Sequence, residues 1–387
     1  MKRQGFRASR TLAVAATGVA AAAALTLAGC SSSGSSSSSG ASTSTSTSTS
    51  GSATASTALK AEKIAFIQLQ SSPLTSQVDL GGTYAASQVN STFTAQGPAN
   101  LDPQTAVSAL TSDISAGYNG VIADAYPPQL WAKPFANAKS AGLAIATADT
   151  GAAGSAATFQ VGASREGLGA ALAQQFATAL GKNAHGTIQP GICVPGLNTL
   201  VAVITGFTQE MKTLEPGVTV ASAFNSTGAP DTNYTAWAQL IQQDPNDLAY
   251  FGVCDQDAAS LIKVKSSHPG AKYLIGNVSG DDVADIKAVQ SGQMTALIGQ
   301  NGFVMGYLAA KYMLAALQGG TALPTGWLSS GLEVITKSNA AAAIAVRNTN
   351  TAAGYLSYYA STISKAEAAE TAGGLPSVAA QLTTLSS

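Results

Sequence analysis

From position 63 onward the sequence alternates between short apolar runs and stretches of helical periodicity, and that alternation restricts the fold more than any other feature. Short, unbroken apolar runs bounded by turn residues mark strands buried on both faces, and helices join such strands into a parallel sheet. Residues 63–69 (KIAFIQL) read as the first strand, with Ile64, Phe66 and Ile67 in one apolar stretch. A helix is expected over 78–88 and a second strand over 92–95. Asp102-Pro103 places an N-cap residue before proline at the first helical position, and Val107, Leu110 and Ile114 then share one helix face. Strands follow at 120–123, 143–148 and 158–161, with a helix over 129–141.

The rhythm then restarts. Leu168, Leu172, Phe176 and Leu180 recur every four residues on a helix. Strands are expected at 187–194, 218–224, 248–253, 272–276 and 294–298, and a last one at 332–336. Between them lie helices at 200–214, 258–265, 282–290 and 305–317, and one capped by Asp231 that carries Trp237, Leu240 and Ile241. Beyond Asn339 the chain is Ala-rich and expected to be helical to about residue 372. The fold class is therefore α/β, in two doubly wound parallel-sheet lobes with a cleft between them. In such sheets ligands bind beyond the carboxyl ends of the strands.

The first 57 residues do not share this rhythm. Lys2, Arg3, Arg7 and Arg10 precede an uncharged apolar run over 11–27, which leads into Leu27-Ala28-Gly29-Cys30. A basic start, an apolar middle and small residues before a cut make a secretory signal, and the run is shorter than the ~20 residues of a membrane-spanning helix. The box resembles that of bacterial lipoproteins. The resemblance implies a signal peptide over 1–29, cleavage before Cys30 and diacylglycerol on its thiol; the alternative is an ordinary signal in which Cys30 falls by chance. Residues 31–57 are almost wholly Ser, Thr, Gly and Ala, too polar to offset their ordering entropy. Residues 30–59 thus read as a lipidated cysteine and a disordered tether, with a mean span on the order of 30 Å.

What remains is about 330 residues, enough for two domains or one large one. Only 10% of the chain is charged, against a usual ~25%, and the net charge is −1 with no basic stripe in the mature part. Nucleic acid and anionic lipid surfaces are excluded as partners on that ground. No His, Cys, Asp and Glu cluster has metal-ligand spacing, residues 244–247 lack the spacing of a calcium loop, and no phosphate-binding Gly-rich loop is present. Residues 162–167 are one residue too long for a nucleophile elbow, and neither His185 nor His268 offers Ser164 a partner. No catalytic constellation, metal or cofactor is expected. Trp131 and Trp237 lie within helices and read as core; the two histidines read as surface.

Several pieces, in order, resemble the ribose-binding-protein-like (type I, class B) solute-binding proteins of ABC transporters. They are Lys63-Ile64-Ala65-Phe66, Gly120-Val121-Ile122, Ala141-Gly142-Leu143, Asp149 at a strand end, Gly206-Phe207, Phe251-Gly252-Val253-Cys254-Asp255, Gln290-Ser291-Gly292-Gln293-Met294, and Gln300 with Met305-Gly306-Tyr307. The resemblance implies two lobes joined by three crossing strands, near Gly162, Gln300 and Gly331. It divides the mature chain into an N-terminal lobe (60–161 plus 299–329), a C-terminal lobe (162–298 plus 330–345) and an Ala-rich extension (346–387). By motif position it implies ligand contacts at Ser71, Ser72 and Leu74, at Tyr126 and at Asp149 in the first lobe. In the second lobe it implies Asn198, Asp255, Asn277 and Gln300. Carboxylates and amides suit sugar hydroxyls, and aromatic faces suit the ring C–H groups.

The departures bear on the ligand. Ser72-Pro73-Leu74-Thr75 stands where the family has Asn-Pro-Phe-Phe, and Asp149-Thr150 where it has Asp-Arg. Val201 and Val203 lie near the position of a further family arginine, and Cys254 replaces an asparagine. These changes argue for the same scaffold with a ligand other than a standard pentose or hexose. Cys193 and Cys254 end strands that the doubly wound order makes neighbours; they are either a disulfide in an oxidising compartment or two buried thiols. The expected function is that of an exported, monomeric lipoprotein on the outer face of the cell membrane. It would capture a small polar solute, sugar or sugar-like, and deliver it to an ABC permease and its ATPase. A ligand sensor for a membrane signalling partner is the alternative, and an extracytoplasmic hydrolase a more remote one.

Overall fold

The computed structural model describes residues 59–279 and 282–384. The expected signal peptide, Cys30 and all but the end of the tether lie outside these residues. In the first lobe, strands β1 (Lys63–Ile67), β2 (Thr92–Gln96), β3 (Gly120–Ala123), β4 (Ala144–Ala148) and β5 (Phe159–Gly162) alternate with helices α1 (Pro73–Ser87), α2 (Pro103–Ala116) and α3 (Pro128–Ser140). The chain then builds a second sheet through α4 (Arg165–Leu180), β6 (Gly186–Ile192), α5 (Asn198–Leu214), β7 (Val218–Val220), β8 (Phe224–Asn225), α6 (Pro230–Gln243), β9 (Ala249–Gly252), α7 (Asp255–Ser266), β10 (Leu274–Val278), α8 (Val283–Ser291) and β11 (Ala296–Gly299). Helix α9 (Gly302–Leu317) and strand β12 (Gly326–Ser329) return to the first sheet, and β13 (Glu333–Ile335) rejoins the second. Four C-terminal helices follow: α10 (Ala340–Thr349), α11 (Ala352–Tyr358), α12 (Ala360–Ala372) and α13 (Ala380–Thr383).

The strand orders are β12-β5-β4-β3-β1-β2 and β13-β11-β10-β9-β6-β7, with β8 also paired to β6. Among these strands every pairing is parallel except that of β13 with β11. Each sheet places its first strand between its second and third, so the order reverses at β1/β3 in one lobe and at β6/β9 in the other. Ligand crevices open beyond the carboxyl ends of strands at such reversals. The chain passes between sheets after β5, after β11 and after β12.

Burial explains why these segments are strands. β3, β5, β9 and β11 are buried at every residue, without the alternation of a one-faced sheet. One core joins α1 and α9 of the first lobe to α4 and α5 of the second, through Phe66, Phe176, Phe207 and Phe303. Two further cores cover the outer faces, one around Trp131 and Phe135 and one around Trp237 and Tyr250. Trp131 and Trp237 are fully buried, and both histidines are exposed. Each lobe crosses two helices at glycines. A Cβ on Gly306 would stand 1.9 Å from the Val78 carbonyl oxygen, and one on Gly169 would stand 1.8 Å from that of Val203. Side chains larger than hydrogen would force these backbones apart.

Four local expectations need correction. Helix α1 begins at Pro73 rather than 78, because Ser72 and Thr75 form a reciprocal capping box. The strand expected over 218–224 is two strands, β7 and β8. Both pair with β6, and Pro190, which has no N–H to give, lies in β6 between the two pairings. Asp231 makes no cap: α6 starts at Pro230 with Ala229 in the cap position, and Asp231 sits in its first turn. Strand β12 and helix α13 occupy stretches for which no element was expected.

Candidate ligand-binding site

A cavity of about 450 Å³ lies between the lobes at the carboxyl ends of the strands. The loops after β1, β2, β3 and β4 supply Ser72, Leu101, Asp124, Tyr126 and Asp149 from the first lobe. The second lobe supplies Arg165 at the start of α4, Val194 and Leu197 after β6, Cys254 and Asp255 after β9, and Ser279 after β10. Gln300 enters from the second crossing.

The floor is polar and closely knit. Arg165, whose side chain is 3% exposed, donates through Nη2 to the Asp149 carboxylate and to the Asp149 carbonyl oxygen (2.8 Å). Its Nη1 donates to Gln300 Oε1 (2.5 Å). One guanidinium thus ties a first-lobe carboxylate to a hinge amide, using the fixed fork that arginine has and lysine lacks. Asp149 holds φ 66°, a left-handed conformation that Asp tolerates better than most residues. Asp124 faces the same floor with Oδ1 sealed from solvent and unpartnered among the described residues, as is Arg165 Nε. Burial pushes the Asp124 carboxyl well above its ordinary range and the Asp149 charge adds to this, while Thr150 and Arg165 pull it back. On the opposite wall Ser279 Oγ donates to the Asp255 carboxylate.

Cys193 and Cys254 form a disulfide on the second-lobe wall, with their Cα atoms 6.2 Å apart. Strands β6 and β9 are neighbours with Gly191 opposite Gly252, so each cysteine lies two residues past a paired position. The rest of the lining mixes aliphatic side chains (Leu69, Leu74, Leu101, Val194, Leu197, Leu200 and Val253) with polar ones (Gln70, Thr75, Asn100, Thr150, Thr199 and Gln256), and Tyr126 is the one aromatic side chain among the described residues that line it.

Of the residues expected here, Ser72, Leu74, Tyr126, Asp149, Asp255 and Gln300 line the cavity together. The Ser72 hydroxyl also accepts from the Thr75 amide (3.3 Å) to cap α1. Three lie elsewhere. Ser71 is exposed and accepts from Gln68 Nε2 (2.9 Å), off the lining. Asn198 is exposed at the start of α5, where its neighbours Leu197, Thr199 and Leu200 reach the cavity instead. Asn277 is wholly buried behind the wall, its Nδ2 donating to the carbonyls of Cys254 (3.1 Å), Val278 (3.2 Å) and Ser279 (2.8 Å). It holds the loops that carry Asp255 and Ser279. Sequence reading missed Asp124 and Arg165. The signal for Arg165 was a charged residue amid small ones directly after a buried strand, in a chain with few charges to spare.

The periplasmic binding protein domain family matches residues 59–321. The chain belongs to that family. Members are extracytoplasmic binding proteins rather than enzymes, and among the described residues no helix is long and apolar enough to cross a membrane. The family fold recurs in an ABC transporter solute-binding protein from Burkholderia graminis in complex with D-arabinose. It is 22% identical with a TM-score of 0.67, the match covering 73% of this chain and 97% of that one. It recurs in a solute-binding protein from Agrobacterium vitis bound with α-D-tagatopyranose, at 22% identity and TM-score 0.65, over 72% and 95% of the two chains. A third similar structure is an XylFII–LytSN complex, at 18% identity and TM-score 0.64, over 72% and 99%. No curated protein matches the sequence.

Proposed function

We propose that this protein captures a small, uncharged, polyhydroxylated solute of the sugar class in the interlobe cleft and hands it to an ABC permease with its ATPase. The observation that carries the reading is the Asp149–Arg165–Gln300 network, which joins the two lobes and the hinge on the floor of a cavity at both sheet reversals. Carboxylates and amides there suit hydroxyl pairs. The Asp149 and Asp255 carboxylates outnumber the single guanidinium of the lining, and the buried Asp124 carboxyl adds no positive charge, which disfavours phosphorylated or acidic sugars. The sugars bound in the similar structures support the class. The aliphatic part of the lining, in place of stacked aromatics, favours ligands that carry an apolar group beside their hydroxyls, such as 6-deoxyhexoses. Ligand contacts from both lobes would shift the population toward a closed form. Diacylglycerol on Cys30 and the Ser/Thr tether would hold a monomeric domain at the outer face of the membrane.

Calorimetric titration of the mature chain with D-arabinose, D-tagatose, D-allose, D-galactose and D-fucose tests this. The expected result is saturable binding of at least one sugar, weakened by Asp149→Asn. D-fucose lacks the 6-hydroxyl of D-galactose, and a hydroxyl left unpartnered against aliphatic side chains costs about 1–3 kcal/mol, so D-fucose should bind several-fold tighter than D-galactose or more. No binding across the panel contradicts the sugar class. One observation favours a second reading, a sensor for a membrane signalling partner: a protein of the same fold occurs in complex with another protein, LytSN. Stimulation of permease-bound ATPase by the loaded protein separates transport from sensing.

A further inference from the structure

The family match ends at residue 321, yet the chain continues through four helices that return to the hinge between the lobes. Helix α10 packs on α8 of the second lobe, and α12 packs on α9 and β12 of the first. The terminal α13 touches α4 and α5 in one lobe and β12 in the other. This extension grips the crossings at two places. At the third crossing buried Glu333 accepts from Arg347 Nη2 (2.8 Å), Tyr358 OH (2.5 Å) and Tyr359 OH (2.7 Å), all three from the extension.

At the first crossing the grip reaches the ligand floor. Gln381, in the short helix α13, is 2% exposed. Its Nε2 donates to the carbonyl oxygens of Asp149 (2.7 Å) and Ala163 (3.1 Å), and its Oε1 accepts from Gln160 Nε2 (2.6 Å). The Asp149 carbonyl thus receives Gln381 from behind and Arg165 from the cleft side. A Cβ on Gly162 would stand 2.4 Å from Gln381 Nε2, so the crossing strand leaves room for this amide and little more. Ser164, the N-cap of α4 beside Arg165, donates through its hydroxyl to the Thr384 carbonyl. Buried amides with three well-placed partners are costly to remove, because each orphaned group keeps its desolvation penalty.

We propose that Gln381 is a positioning residue for the ligand cleft, fixing Asp149 and the start of α4 from the back of the hinge. The extension from α10 to α13 braces the two lobes against each other. Its consequence for ligand affinity rests on the sugar-binding reading above; its test does not, since no ligand is needed. Hydrogen–deuterium exchange of the full mature chain is compared for wild type, Gln381→Ala, Gln381→Glu and a chain ending at Ala372. Gln381→Glu keeps the acceptor for Gln160 but loses both donors, so it should behave like the alanine variant. The expected result is exchange faster by about tenfold or more at amides 149–152 and 161–166, with β1 and β9 unchanged. Unchanged exchange at 149–166 in both point variants overturns the proposal. So does a uniform rise across both lobes, which marks a residue that only adds global stability. The truncated chain should add faster exchange at β12 and β13, and its failure to do so overturns the brace.

Discussion

Without the guanidinium of Arg165, the Asp149 carboxylate and Gln300 Oε1 each lose the donor they share. Breaking a buried pair from one side costs about 3–5 kcal/mol, and Asp149 retains some solvent contact, so Arg165→Ala should cost somewhat less, about 2–4 kcal/mol in urea unfolding. Lysine, which lacks the fork, should recover little of that loss. Asp124 makes a prediction of opposite sign. Its folded carboxyl titrates above the ~3.9 of an unfolded chain, so the folded state holds the proton more tightly, and this contribution is lost as pH rises above ~3.9 through the folded value. Asp124→Asn should therefore raise the Tm at pH 7, and its advantage should shrink toward zero near pH 4. An equal gain at both values would mean that Asp124 is not held protonated by its surroundings. The sequence made Asp149 and Gln300 legible because a polar residue directly after a buried strand has the cleft as its nearest solvent. It did not separate Asn277 from them, because a residue at a strand end can turn either toward the cavity or back to bind the loop carbonyls. Arg165 was missed because residues 162–167 read only as a near-match to a nucleophile elbow, and a charge in the first turn of α4 looks from sequence alone like any other helix start.

At the scale of elements, the alternation of apolar runs and helical faces was sufficient to place most strands and helices, since strands buried on both faces carry few polar residues (Thr147, Gln160 and Asn277 among them) to blur them. Reading failed where a strand's limits depend on its neighbour. Residues 218–224 look continuous alone and are divided opposite the stretch of β6 that carries Pro190, which has no N–H to give. Strand β12 was missed because Gly326 and Ser329 dilute its apolar signal, although Trp327 anchors it by donating to the Gly162 carbonyl (2.9 Å). The Cys193–Cys254 bond closes a loop of 61 residues on the cleft wall. Cross-links over loops of this size stabilise by about 2–4 kcal/mol, so replacing both cysteines with serine should lower the unfolding midpoint accordingly. Thiol titration of the denatured, unreduced mature chain should find no free thiol at either position; two would contradict the pairing.

Over the whole molecule, two sheets of one topology are joined by three crossings, and each crossing carries a polar fastening. Arg165 and Gln381 hold the first, and Glu333 with Arg347 holds the third. The second is held where Asn301 Nδ2 donates to the Ser330 carbonyl (3.0 Å). A binding protein must open and close about such strands, so fastenings there set how far the lobes part and how much ligand contact is needed to close them. The most direct test is mass spectrometry of small molecules released from the mature chain purified under native conditions from its own source. One stoichiometric neutral polyhydroxylated compound is predicted from the wild-type protein, and its loss from the Asp149→Asn and Gln300→Ala variants. A charged or non-hydroxylated molecule in its place, or the same compound retained by both variants, would contradict a sugar held on the Asp149–Arg165–Gln300 floor.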